Sequence, residues 1–251
     1  IAFFGGDPDN FNFPRYDLDV SFVRVYENDK PAKTEHYFKW SKEGPKEGAA
    51  TFVSGHPGGT SRELTMAQLE FQRDVALPDR LIGLSEMRGV LTEFAKTGKE
   101  QARVSKDELF FVENAIKALR GEHQSLTQGD FYKQKAAAEA ALREMVKADP
   151  ELSKIAGGAW DAIAEAKKAQ KAIRPAFNML EGAKGFDSGL FEQARALVRY
   201  AEETQKPNGE RLREFAESQL PAVKNDILSS TPYDDAFEML KLGHGLTKLR
   251  E

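Results

Sequence analysis

The stretch that most constrains this chain is Gly5 to Tyr26, GGDPDNFNFPRYDLDVSFVRVY. Two glycines lead into a loop carrying Asp7, Asp9, Asn10, Asn12 and Pro14, and the loop runs into a Val/Phe-rich segment headed by Asp19. Strand periodicity over Asp19 to Tyr26 puts Val20 and Phe22 on one face and Val23 and Val25 on the other. A strand apolar on both faces is expected to be buried on both. An acid at the mouth of such a strand has two stable fates. It caps a turn, or it pairs with a donor that keeps it ionised in a partly dry site.

The sequence predicts β structure from residue 1 to about 65. Glu27 to Lys33 reads as a polar turn, His36, Phe38 and Trp40 alternate with Tyr37 and Lys39, and Ala49 to Ser54 is a further apolar strand. Arg62 to Met66 reads as one more short strand. Helical periodicity then takes over. Leu109, Val112, Ile116 and Leu119 form one stripe on a helix expected over Lys106 to Gln124, with Ser105 as its N-cap and Glu108 as the capping-box partner. Further helices are expected at 131–147, 159–172, 188–205, 210–228 and 232–242. Asp149-Pro150 is a break, Pro175 an interruption or restart, and Pro221 a kink. The expected organisation is therefore α+β: residues 1–65 as an incomplete β segment and residues 66–251 as an all-α domain, with the helices packing on the β piece. Three or four strands leave open edges, so the missing strands are expected in polypeptide outside these residues.

Composition excludes several function classes. A net charge of −4, with no basic patch, gives no nucleic-acid footprint. No cysteine means no thiol nucleophile, disulfide or zinc–thiolate site. No apolar run reaches the roughly 18 residues of a membrane span. Four scattered histidines without a His-x-x-x-His pair argue against a metal site, and no cofactor motif is present. His36 is expected on a strand face, His123 at a helix C-terminus, and His244 in a turn between Gly243 and Gly245. The chain begins at Ile1, inside an apparent strand, and reads as an excerpt of a longer protein. A role for Ile1 as a freed activating N-terminus is rejected, because no nucleophile motif follows it.

Candidate chemistry is sparse. Gly55 to Gly59, GHPGG, lacks the following Lys-Ser/Thr of a phosphate loop, and its tight turn suits a bend at a barrel corner better than a catalytic His56. Neither Gly-x-Ser-x-Gly nor Gly-Asp-Ser-Gly occurs. Asn114 sits off the apolar stripe between Phe110 and Phe111. It is either a structural hydrogen-bonding amide or part of a site.

An Asp heading an apolar strand resembles the way chymotrypsin-fold peptidases present the acid that orients their histidine. Those of bacteria share a Gly-x-Pro-x-Gly bend, here Gly55 to Gly59. The combination of GGDPDNF, the Asp-headed strand, FVSGHPGGTSR, VENAIKALRG and the closing ERLREF…LSSTPYDDAFEMLKL resembles, over the whole chain, the bacterial dipeptidyl-peptidase 7 and dipeptidyl-peptidase 11 family. These are serine exopeptidases with a chymotrypsin-like double barrel and an inserted helical domain. The resemblance implies that residues 1–65 are part of such a barrel and that Asp19 is the triad acid. Asn10 and Asn114 are implied to bind the free amino terminus of a peptide. Phe11 stands where members of the family carry tryptophan, which keeps an aromatic wall and removes any contact specific to tryptophan. The family's histidine and serine are expected outside these residues, so the chain alone is expected to be inactive. Implied partners are peptides with a free N-terminus, with no nucleic acid and no membrane, and with homodimerisation in the full-length protein left open. Implied localisation is periplasmic or secreted. Two other readings stay open: a helical interaction module with a β appendage, and an HtrA-like endopeptidase fragment, which does not explain Asn10 or the helical insertion.

Overall fold

The computed structural model describes residues 21–52, 54, 55, 61 and 63–250. The chain divides into two compact units, Ile1–Leu64 and Thr65–Glu251.

Within the described residues of the first unit, strand structure is confined to a two-stranded antiparallel hairpin. β1 (Tyr26–Glu27) pairs with β2 (Lys30–Pro31), in register Tyr26 with Pro31 and Glu27 with Lys30. Asn28 and Asn28's neighbour Asp29 both adopt positive φ, 49° and 61°, as a two-residue hairpin turn matched to strand twist requires. The polar turn expected at Glu27 to Lys33 is thus present. The amide of Ala32 donates to the Val25 carbonyl at 2.9 Å and extends the hairpin by one bond. Residues 21–25, 36–40, 49–52 and 63–64 do not form the expected strands. Phe22, Val23, Trp40 and Phe52 are all more than four-fifths exposed, not buried. The reason is physical: an extended segment without a neighbouring ladder leaves its amides to water and has nothing to pack its apolar faces against. His36 likewise lies exposed on irregular chain.

The second unit is helical. Thr65 caps α1 (Met66–Phe71) with a complete capping box: its Oγ1 accepts from Gln68 N, and Gln68 Oε1 accepts from Thr65 N at 2.9 Å. A π-helical turn, Gln72–Ala76, leads straight into α2 (Leu77–Lys96). Thr97 and Gly98 then reverse the chain into α3 (Lys99–Thr127). α4 (Phe131–Ala148) and α5 (Pro150–Ala156) follow, separated at Asp149, whose carboxylate accepts from the amides of Glu151 and Leu152. α6 (Ala159–Leu180) ends in a 3₁₀ turn, Lys184–Phe186. α7 (Gly189–Glu203), α8 (Leu220–Ile227) and α9 (Asp235–Arg250) complete the unit.

The core lies between α2 and α3. Leu91, Val112 and Ile116 are at most 3% exposed, and Leu109, Leu81, Leu84 and Met87 pack around them. α9 covers this pair with Phe237 and Leu240, and the Phe237 ring stacks on Phe94 at 5.8 Å. The expected stripe of α3 is therefore the face that is buried.

Four local expectations are corrected. Ser105 is not an N-cap. It is fully buried inside α3, where its hydroxyl donates to the Gln101 carbonyl at 2.7 Å, so a serine that looked like a helix start is satisfied by the turn before it. Pro175 remains within a continuous α6, on an exposed side where a carbonyl deprived of its amide partner is hydrated. Pro221 lies in the first turn of α8, where a missing N–H costs nothing, so it begins a helix and does not kink one. His244 sits within α9, not in a turn. Its neighbour Gly245 serves close approach: a β-carbon there would lie 2.6 Å from the Lys184 carbonyl oxygen.

Candidate functional site

Asn10, Phe11 and Asp19, together with His56, lie outside the described residues. Asn114 is the one expected site residue with a described position. It occupies the middle of α3, half-buried. It lies two positions along from Val112 and two before Ile116, so it stands about 200° around the helix from each, on the side away from the core. Phe110 beside it is half-buried and Phe111 is 66% exposed. The second face of α3 is therefore more open than its aromatic content implied.

A cleft of 540 Å³ opens on the adjoining side of α3. Phe111 and Ala115 line it from α3, Ile82 and Met87 from α2, and Met179 and Ala183 from the end of α6. Its rim is charged. Asp79 on α2 accepts from Arg174 at 3.0 Å and from Asn178 at 3.1 Å, and Lys248 on α9 reaches Glu86 at 2.8 Å. Asn114 is not among its lining residues, so the structure does not bring the expected amine-binding asparagine to this cleft.

At one end of the cleft a buried polar network joins three elements. Ser188, the N-cap of α7, accepts from Phe191 N and donates its hydroxyl to Glu238 Oε2 at 2.7 Å. The Leu190 amide also points at Glu238, 3.4 Å away. Lys241, one turn further along α9, lies 3.8 Å from Glu238 and 4.0 Å from Asp187. Glu108 of α3 faces the same corner. Burial raises its carboxyl above the ordinary range; Lys241 opposes this, and Asp187, Glu192 and Glu238 add to it. The sequence held no motif for this network. Glu108 stands three residues after Ser105, a capping-box spacing that recurs by chance inside any long helix.

Ion pairs elsewhere brace the scaffold. Arg73 forks onto Asp74 and holds its carboxyl below the usual range, and Arg199 does the same to Glu181. Among the described residues no cluster of three or more metal-ligating side chains occurs, and no helix is long and apolar enough to cross a membrane.

The Peptidase S46 family model matches residues 1–251, the whole length of this sequence. The chain belongs to the Peptidase S46 family. An Asp/Glu-specific dipeptidyl-peptidase of Shewanella putrefaciens is 26% identical over 225 residues, which is 84% of this chain and 30% of that protein. A protein of the same name from Capnocytophaga gingivalis is 36% identical over 92 residues, 32% of this chain and 13% of its own. Dipeptidyl-peptidase 7 of Phocaeicola vulgatus is 27% identical over 165 residues, 59% of this chain and 22% of its own. The alignments thus span less than a third of the length of each of these relatives. The resemblance drawn from GGDPDNF, GHPGG and VENAIKALRG is upheld at the level of the family.

Proposed function

We propose that this chain is the acid-bearing β segment and helical domain of a serine dipeptidyl aminopeptidase, an enzyme that removes dipeptides from the free N-terminus of peptides. The observation that carries the reading is the family match across all 251 residues, joined to relatives whose names specify dipeptidyl-peptidase activity. In this reading residues 1–65 complete a chymotrypsin-like barrel only together with further polypeptide. That accounts for the exposure of Phe22, Val23, Trp40 and Phe52 among the described residues.

The proposed roles follow from chemistry. Asp19 accepts from the imidazole of a histidine outside these residues, fixes its tautomer, and stabilises the imidazolium formed as a serine attacks the scissile carbonyl. Asn10 and Asn114 offer amide oxygens to the substrate's ammonium, and Phe11 walls the subsite. Measuring two residues from a free amine requires such acceptors together with a cap that excludes longer chains. The helical domain is the proposed cap. The substrates are peptides, the compartment is periplasmic or secreted, and the 251 residues alone release no dipeptide.

The test uses the full-length parent enzyme and a fluorogenic dipeptidyl amide, with and without an acetyl group on its amine. Removing the ammonium removes its charge-assisted hydrogen bonds, so kcat/KM is expected to fall about 100-fold or more. Equal rates on both substrates would contradict an aminopeptidase.

A further inference from the structure

The corner around Lys241 gathers acids about one ammonium. Glu238 and Asp187 lie at 3.8 and 4.0 Å from it, and Glu108 and Glu192 line the cleft beside Asp187. Lys241 is held in place, its side chain 11% exposed and its ammonium 5.1 Å from the centre of the Phe237 ring. Glu238 is equally fixed by the Ser188 hydroxyl. Unlike Glu238 and Asp187, Glu108 has, among the described residues, no hydrogen bond or ion pair to its carboxyl group. One ammonium is shared by Asp187 and Glu238 before Glu108 is counted, so ionising Glu108 adds an uncompensated charge beside three others.

The position of Glu108 gives that charge mechanical leverage. It projects from α3, half of the core hairpin, toward the start of α7 and the middle of α9. α9 is tied to both sides: Phe237 and Leu240 grip the α2–α3 core, and Gly245 lies against the 3₁₀ turn at Lys184. The 540 Å³ cleft runs along this seam, with Phe111 and Ile82 on one wall and Met179 and Ala183 on the other. The other charged groups on its wall are Asp79, paired with Arg174, Glu86, paired with Lys248, and Arg80, Lys184 and His244.

We propose that Glu108 is a proton-responsive latch: protonated, it seats α3 against the Asp187–Glu192 corner and α9; ionised, it loosens that seam and widens the cleft. Burial and the surrounding acids favour the neutral form, consistent with this geometry. A carboxyl whose folded-state affinity for a proton exceeds its unfolded one contributes no penalty below the ordinary value of 4.5 and destabilises the fold as pH rises above it. The latch stands independently of the peptidase reading. Only its consequence rests there, since α3 also carries Asn114, six residues and about 9 Å further along the helix.

Thermal unfolding of the whole chain and of Glu108→Gln, followed by circular dichroism between pH 4.5 and 8, tests this without any activity. The variant is expected to melt about 2–4 °C above the wild type at pH 8, and the gap is expected to close toward pH 4.5. His244 is present in both proteins and cancels in the difference. Hydrogen exchange at pH 8 is expected to show residues 182–192 better protected in the variant. Glu192→Gln, which removes one of the opposing acids, is expected to raise the melting temperature at pH 8 and to narrow the remaining effect of Glu108→Gln. A difference independent of pH, a variant less stable than wild type at pH 8 or unable to fold there, or unchanged exchange at 182–192 would each overturn the latch.

Discussion

Leu91→Ala is the sharpest test of how the helical unit is held together. Leu91 is wholly buried and contacts the α3 stripe at Val112 and Ile116, with Phe237 and Leu240 of α9 packed on the same cluster. Truncation removes three carbon groups from an apolar site, worth roughly 2.4 kcal/mol at about 0.8 kcal/mol each. The void left between two long helices pinned along their length collapses only in part, and its lining adds roughly 1–2 kcal/mol. The total, about 4 kcal/mol, is a large share of the stability of an ordinary domain, roughly 5–15 kcal/mol. Urea unfolding followed by the helical circular-dichroism signal reads it directly. With a slope near 2 kcal/mol per molar, the midpoint is expected to fall by about 2 M. Met239→Ala, on α9 but 74% exposed, is the matched control and is expected to change stability by less than about 0.5 kcal/mol. A Leu91→Ala cost below about 1 kcal/mol, or one equal to that of Met239→Ala, would refute the placement of the core between α2 and α3.

Two further predictions concern caps. Ser188→Ala removes both the α7 cap and the hydroxyl donor to Glu238, and is expected to cost about 2–3 kcal/mol in chemical denaturation, with Ser188→Thr restoring most of it. Thr65→Ala breaks the capping box that opens α1 and is expected to cost about 1 kcal/mol, with amide exchange accelerated at Met66 to Leu69 and unchanged in α9.

What could be read from the sequence follows from how local each signal is. The α3 stripe, the break at Asp149-Pro150 and the helix expected from Ser188 depend on spacing and caps within one element, and the structure carries them all. The polar turn after Tyr26 was equally local, and the Asn28-Asp29 pair supplies the positive φ it needs. Ser105 and Gly245 misled because their roles are set by packing. One is a buried serine satisfied by its own helix, and the other is a glycine demanded by a backbone distant in sequence. Strand patterns at 36–40 and 49–52 state what those residues would do beside a partner strand, and a pattern cannot provide the partner. The Lys241 network was illegible for a related reason: Glu108 of α3, Glu238 of α9, Glu192 of α7 and Asp187 just before α7 are drawn together by the way these elements pack. At the candidate site the sequence motif reached further than the geometry, since the GGDPDNF loop and Asp19 lie outside the described residues.

Asp19→Ala in the full-length enzyme tests the central proposal most directly. Loss of the acid that orients the histidine is expected to lower kcat by about 10⁴ with KM nearly unchanged. A variant that folds normally and hydrolyses dipeptidyl amides at the wild-type rate would contradict the account.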